Sequence, residues 1–85
     1  METAREYAHI VEYSYNPKNK HFVIRFLDNS SYVLKIDELP KKLQSKKPKW
    51  EETKLTNDRS ALAVTAGKIT RLIPFNIIHS RGQQL

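Results

Sequence analysis

Eighty-five residues make one domain, and 15 basic against 9 acidic side chains give a formal net charge of +6. The absence of cysteine excludes disulfides and thiolate metal sites. No apolar run approaches the ~20 residues of a membrane-spanning helix, and the opening METAREYAHIVEY sets Glu2, Arg5, Glu6 and Glu12 among its apolar residues, unlike a signal peptide, so a cytoplasmic chain is expected. Residues 1–7 are expected to be flexible. Residues 8–15, rich in β-branched and aromatic side chains, read as a first strand. Asn16-Pro17-Lys18-Asn19 follows as a turn: Pro17 presets φ for the second position of a type I turn, and Asn19 tolerates a left-handed backbone. The second strand, 21–27, alternates Phe22, Ile24 and Phe26 with Val23 and Arg25.

The first hairpin has two readings. A 17–19 loop pairs Glu12 with Ile24 and Tyr13 with Val23, as the turn chemistry favours. A four-residue loop pairs Tyr13 with Phe22 and Val11 with Ile24, as the hydrophobic pattern favours. The next hairpin is better defined. The third strand, 31–36, carries Tyr32, Leu34 and Ile36 on one face, and a three-residue loop brings that face beside Phe22, Ile24 and Phe26. The loop 27–29 is preferred to 28–30, because Asn29 then takes the left-handed position of a G1-type bulge.

Asp37-Glu38-Leu39-Pro40 reads as a helix start, with Asp37 as cap, Pro40 in the first turn and Leu39 and Leu43 buried. A lysine-rich loop leads to Trp50. A fourth strand, 51–56, turns at 57–60 into a fifth, 61–65, pairing Leu55 with Leu62 and Thr53 with Val64. Ala66-Gly67 makes the next turn, 68–73 a sixth strand, and Pro74 opens a short helix over 75–80 with Gly82 as its stop. Residues 82–85 read as a flexible tail. The expected fold is α+β and mostly β: two three-stranded antiparallel meanders, a short connecting helix and a short C-terminal helix. The expected core is Phe22, Ile24, Phe26, Leu34, Ile36, Leu39, Leu43, Trp50, Leu55, Leu62, Val64, Ile69, Ile73 and Ile78.

Two segments carry a resemblance: FVIRFLDNSSYVLKIDEL (22–39), and WEETKLTNDRSALAV followed by ITRLIPF (50–75). Their order of strand, Asp-containing turn, strand, short helix and Trp-led meander ending in Ile-Pro resembles a small bacterial domain family of unknown function. That family occurs alone or ahead of a helix-turn-helix module. The resemblance spans about residues 10–78, with Asn29 standing where the family usually has Gly. It implies the fold and a bacterial cytosolic origin, and it carries no reaction or catalytic residue.

The basic character is local. Residues 41–49, KKLQSKKPK, hold Lys41, Lys42, Lys46, Lys47 and Lys49, and without those five lysines the chain would carry 10 bases against 9 acids. Such a stretch is either an anion-contacting surface or a solvated loop, and Trp50 beside it either stacks on a base or turns inward as core, the reading preferred here. Tyr13, Tyr15 and Arg25 are expected together on the sheet face opposite Phe22, as a contact surface for a partner or for single-stranded nucleic acid. His9 and His21 fall toward opposite ends of the first hairpin and His79 lies far along the chain, so no metal site is expected. Neither a G-x-S-x-G elbow nor a glycine-rich phosphate loop occurs, and Glu51 and Glu52 point to opposite faces of a strand. Neither an enzyme nor a cofactor is expected. The leading expectation is a binding module acting through a protein partner or as a homo-oligomer. The runner-up is a nucleic-acid-binding module using residues 41–49 and the aromatic sheet face, and no membrane contact is expected.

Overall fold

The computed structural model describes residues 6–44 and 47–85. The fold is α+β and mostly β. Strands β1 (Ile10–Asn16), β2 (His21–Phe26) and β3 (Ser31–Lys35) form one antiparallel sheet, and β4 (Lys54–Leu55), β5 (Ala61–Ala66) and β6 (Ile69–Pro74) form the second. Two short helices, α1 (Lys41–Gln44) and α2 (Phe75–Arg81), precede β4 and follow β6. The chain ends in β7 (Gln83–Gln84), which pairs with β3 and makes the first sheet four-stranded in the order β1-β2-β3-β7. The sequence reading has a tail there. Gln-Gln has little intrinsic β preference, and the pairing is set by the helix before it, whose last carbonyls cap at Gly82 beside β3.

The β2–β3 hairpin forms as read. Phe22 opposes Leu34 and Ile24 opposes Tyr32, the loop is 27–29, and Asn29 has φ 72°. Asp28 stabilises the turn by accepting hydrogen bonds from the Ser30 N–H and hydroxyl. The first hairpin adopts neither of its two expected registers. Asn16 opposes His21 across the four-residue loop 17–20, Tyr13 opposes Ile24 and Tyr15 opposes Phe22. The left-handed residue is Lys20, at φ 55°, not Asn19. The Asn16 side chain organises the loop instead, accepting from the N–H groups of Lys18 and Asn19 at 2.9 and 3.1 Å. The register slips between Ile10 and Glu12, where Val11 is the extra residue of a bulge. The bulge lets Ile10, Tyr13 and Tyr15 all face inward although they do not alternate strictly.

The connection after β3 is broken in two. Residues Ile36–Glu38 make one 3-10 turn whose first residue is tied by Ile36 N–H to the Lys20 carbonyl, and no side chain caps it. Asp37 is therefore not a cap. Pro40 separates this turn from α1, because its ring cannot continue a hydrogen-bonded helix from Asp37. Where the fourth strand is expected to begin there is another 3-10 turn, Trp50–Glu52, closed by the Thr53 hydroxyl on the Trp50 carbonyl at 2.7 Å. That turn leaves only Lys54–Leu55 for β4. The β4–β5 and β5–β6 registers place Leu55 opposite Leu62 and Leu62 opposite Ile73.

One hydrophobic core joins the two sheets. Phe22, Ile24, Phe26 and Leu34 from the first sheet meet Leu62, Val64 and Ile73 from the second, with Leu39, Leu43 and Ile78 from the connection and α2. Ile10, Tyr32, Ala61 and Ala66 join the buried set beyond expectation. Trp50 and Leu55 pack against the core while partly exposed. Ile69 is 46% exposed, because it follows the tight turn at the open end of β5–β6, beyond the last core layer.

Candidate binding cleft

The lysine stretch is divided by the fold. Lys41 and Lys42 ride on α1, which is held against β6 where Arg71 Nη1 donates to the Lys42 carbonyl. Lys46 lies outside the described residues. Lys47 and Lys49 belong to the far end, where the Lys49 N–H bonds the Thr65 carbonyl at 2.8 Å and fixes the approach to Trp50. Lys41, Lys42, Lys47 and Lys49 are all exposed.

The far end faces a cleft that the sequence reading did not assemble. Its lining is Tyr15, Lys20, Ile36, Asp37, Gln44, Lys47, Pro48 and Trp50. Phe22 is the floor beneath the two aromatic walls. The Tyr15 ring lies 5.0 Å from it between centroids, and the Trp50 ring meets it edge-on at 6.1 Å. The edge-to-face contact with Trp50 and the tilted contact with Tyr15 add to simple burial. Trp50 is thus an anchor packed on the core, and it stays partly exposed where it lines the cleft. Gln44 closes one end, its side-chain amide donating to the Leu39 carbonyl at 2.7 Å.

Both signs of charge border this cleft. Lys20 and Lys47 line it together with Asp37. Burial raises the Tyr15 pKa above its ordinary value, and the nearby negative charge of Glu51 raises it further. Tyr15 therefore keeps its proton and offers a hydroxyl donor at the rim.

The expected surface of Tyr13, Tyr15 and Arg25 forms only in part: Tyr13 and Arg25 line one shallow depression, while Tyr15 lines the cleft. Tyr13 and Tyr15 oppose Ile24 and Phe22 and pack on the core side, whereas Arg25 opposes Glu12 on the outer face. The four-residue loop 17–20 causes this: its register sets Tyr13 and Tyr15 on the face of Phe22 and Ile24, where a 17–19 loop would have set them on the face of Val23 and Arg25. Tyr13 is committed elsewhere: its hydroxyl donates to the Thr53 carbonyl at 2.7 Å and ties the first sheet to the second. Arg25 makes an exposed ion pair with Glu12 at 2.8 Å, on a shallow depression that both line with Tyr13, Ser14, Val23 and Ser31. That pairing offsets the charge Arg25 could bring to an anion.

Lys20, Asp37 and Gln44 are cleft residues that the sequence reading did not single out. The signal for Lys20 was its place at the end of the first turn, which became visible only with the correct loop. Asp37 was assigned to capping, and the broken connection frees its carboxylate to face the cleft. His79, by contrast, is occupied within the fold. Its Nδ1 pairs with the Tyr32 hydroxyl at 2.8 Å, and its Nε2 donates to the Tyr7 carbonyl at 2.6 Å. Among the described residues no helix is long and apolar enough to cross a membrane. Compared with family models, curated proteins and solved structures, the chain matches none.

Proposed function

We propose that this protein is a non-enzymatic binding module that works through a protein partner, contacting it at the Tyr15–Trp50 cleft and the lysines around it. One observation carries the reading: two partly exposed aromatic rings, held from below by Phe22, share a cleft with cations, a carboxylate and an amide. Rigid aromatic walls supply contact area at low entropic cost, and a rim of mixed charge selects the partner. Lys47 and Lys49 steer an acidic surface toward the cleft more than they add affinity. Location in the cytoplasm and kinship with the bacterial family that residues 10–78 resemble belong to the same reading, supported by the cysteine-free composition and by the order of motifs.

A nucleic-acid reading draws on the same rings, which could stack bases while Lys20 and Lys47 meet phosphates. Asp37 on the lining and Glu51 beside Tyr15 repel a uniformly charged phosphate backbone, whereas a protein surface can set acids against the lysines and a donor or base against these carboxylates, and this favours the protein partner. Affinity capture from a lysate with wild-type protein and with Lys47→Glu/Lys49→Glu, run beside titrations with oligothymidine and duplex DNA, decides between them. A partner recovered by the wild type and lost with the charge-reversed variant is the expected result. Equal recovery by both proteins would sink the cleft reading. DNA binding that weakens steeply with salt and is abolished in the variant would establish the second reading in its place.

A further inference from the structure

The second sheet ends in an open edge. Gly67, at φ +67°, occupies the first central position of the two-residue turn between β5 and β6, the pattern of a type II′ hairpin. In such a hairpin the flanking residues Ala66 and Ile69 are a hydrogen-bonded pair, and alternation then makes Val64 with Arg71 and Leu62 with Ile73 the next ones. The Phe75 N–H on the Ser60 carbonyl at 2.8 Å continues the same alternation. It follows that Thr70 and Leu72 point their N–H and C=O groups away from β5. Among the described residues these outward groups have no backbone partner.

Natural sheets guard such edges with a bulge, a central proline or an outward charge. The β5–β6 register has no irregularity, Pro74 stands at the strand's end, and Arg71 turns its guanidinium to the Lys42 carbonyl. Leu72 is 51% exposed on the outer face of the strand. The outer edge of β1 differs, since the Ile10 N–H there bonds the Arg59 carbonyl at 2.8 Å.

Charge selects the occupant. β5, β6, α1 and α2 contain no Asp or Glu, while Lys41, Lys42, Lys68, Arg71 and Arg81 lie on them or in the β5–β6 turn. The acids of this half, Glu51, Glu52 and Asp58, belong to the segments that flank β4 at the opposite edge. A second copy of the chain pairing through β6 would bring like charges together, which disfavours it.

We propose that β6 takes an extended acidic segment of the partner protein as a fourth strand of the second sheet, held by the outward groups of Thr70 and Leu72, with an apolar residue against Leu72. This inference rests on the reading of the protein as a partner-binding module. Strand addition uses main-chain bonds for affinity and alternate side chains for selection.

The test is a low-salt titration of isotope-labelled protein with a synthetic heptapeptide alternating Glu and Val, followed by amide resonances and hydrogen exchange. The Thr70 and Leu72 amides are expected to shift and to exchange about tenfold more slowly, whereas those of Arg71 and Ile73, already bonded to β5, stay near their free values. Leu72→Pro removes an outward donor without removing a β5 bond, and it should weaken binding about tenfold. Leu72→Glu, which keeps the backbone intact, should weaken it too and serves if the proline variant does not fold. Shifts confined to Lys47, Lys49 and Trp50 would overturn the edge proposal and leave the cleft reading standing. Absence of peptide binding also overturns the edge proposal, while capture by the charge-reversed cleft variant judges the cleft separately. A dimer that forms without peptide and is lost in Leu72→Glu would replace the acidic segment with a second copy.

Discussion

Phe22 has no exposed surface and meets Tyr15 on one side and Trp50 on the other, so one ring fixes both walls of the cleft. Phe22→Ala should cost about 3–5 kcal/mol in urea or guanidinium melts, the usual range for emptying a buried aromatic site. Trp50 is the only tryptophan, and its emission in that variant should shift to the red as the ring loses its edge contact. An unchanged emission maximum would mean that something other than Phe22 orients Trp50. A second residue-scale effect concerns acid. Asp28 is held below the usual carboxylate range chiefly by the Ser30 hydroxyl, and Asp58 chiefly by the Ser60 hydroxyl and then by that of Thr56. A lowered folded-state pKa contributes stability above the unfolded value of about 3.9, and the contribution is lost as pH falls through the folded value. The double variant Asp28→Asn/Asp58→Asn keeps the acceptor oxygens and loses the charges. It should be less stable than wild type near neutrality, with the gap closing below about pH 4 in urea melts run across the acid range. A gap that does not change with pH would assign the stabilisation to hydrogen bonding alone. Glu51→Gln should lower the Tyr15 pKa only in part, as read by ultraviolet titration, since burial is the larger cause.

Among the elements, α2 and β7 depend on a single close approach. The Gly82 N–H caps α2 on the Ile78 carbonyl at 2.8 Å, and a Cβ at that position would meet the same oxygen at 2.5 Å and the Val33 carbonyl at 3.3 Å. The backbone there is extended, with φ −80°, so the constraint is space and not handedness. Gly82→Ala should release Gln83–Gln84 from β3, seen as faster exchange of the Leu85 amide that now bonds the Ser31 carbonyl, while β1 and β2 keep their protection. Retained protection at Leu85 would show that the chain end adjusts without leaving the sheet. The elements also differ in how far the sequence revealed them. β2 and β3 alternate cleanly over a short loop with one residue suited to a left-handed backbone, so pattern and turn chemistry gave the same register. In β1 they disagreed, because a bulge at Val11 and a loop ending at Lys20 break the period that such reading relies on. β7 carries no pattern at all, because two glutamines become a strand only through the helix that delivers them. The cleft was half legible: the lysines and Trp50 stood out, but Lys20, Asp37 and Gln44 reach it through the first loop and a connection that Pro40 divides.

At the scale of the molecule, the two sheets have no strand in common, yet they are not independent. One buried cluster draws side chains from both, and backbone and side-chain bonds bridge them: Tyr13 hydroxyl to Thr53 carbonyl at 2.7 Å, Ile10 N–H to Arg59 carbonyl at 2.8 Å. Neither sheet could keep its apolar face dry without the other, because the first offers Phe22, Ile24 and Phe26 to the same interior that Leu62, Val64 and Ile73 fill. Unfolding should therefore be a single transition in which far-ultraviolet circular dichroism, dominated by both sheets, and Trp50 fluorescence share one midpoint. Trp50 suits the test because its backbone turn is bonded through Lys49 to β5 while its ring rests on Phe22 of β2, so it reports the junction. Tyr13→Phe probes the bridge. It should lower stability by about 1 kcal/mol through the lost hydrogen bond, with more if the Thr53 carbonyl is left dry, while the two probes continue to coincide. If the midpoints separate in Tyr13→Phe but not in the wild type, the cooperativity resides in that bond and not in the shared core. If they separate in both, the sheets are distinct folding units, and a partner strand added at β6 would stabilise the second sheet without stabilising the first.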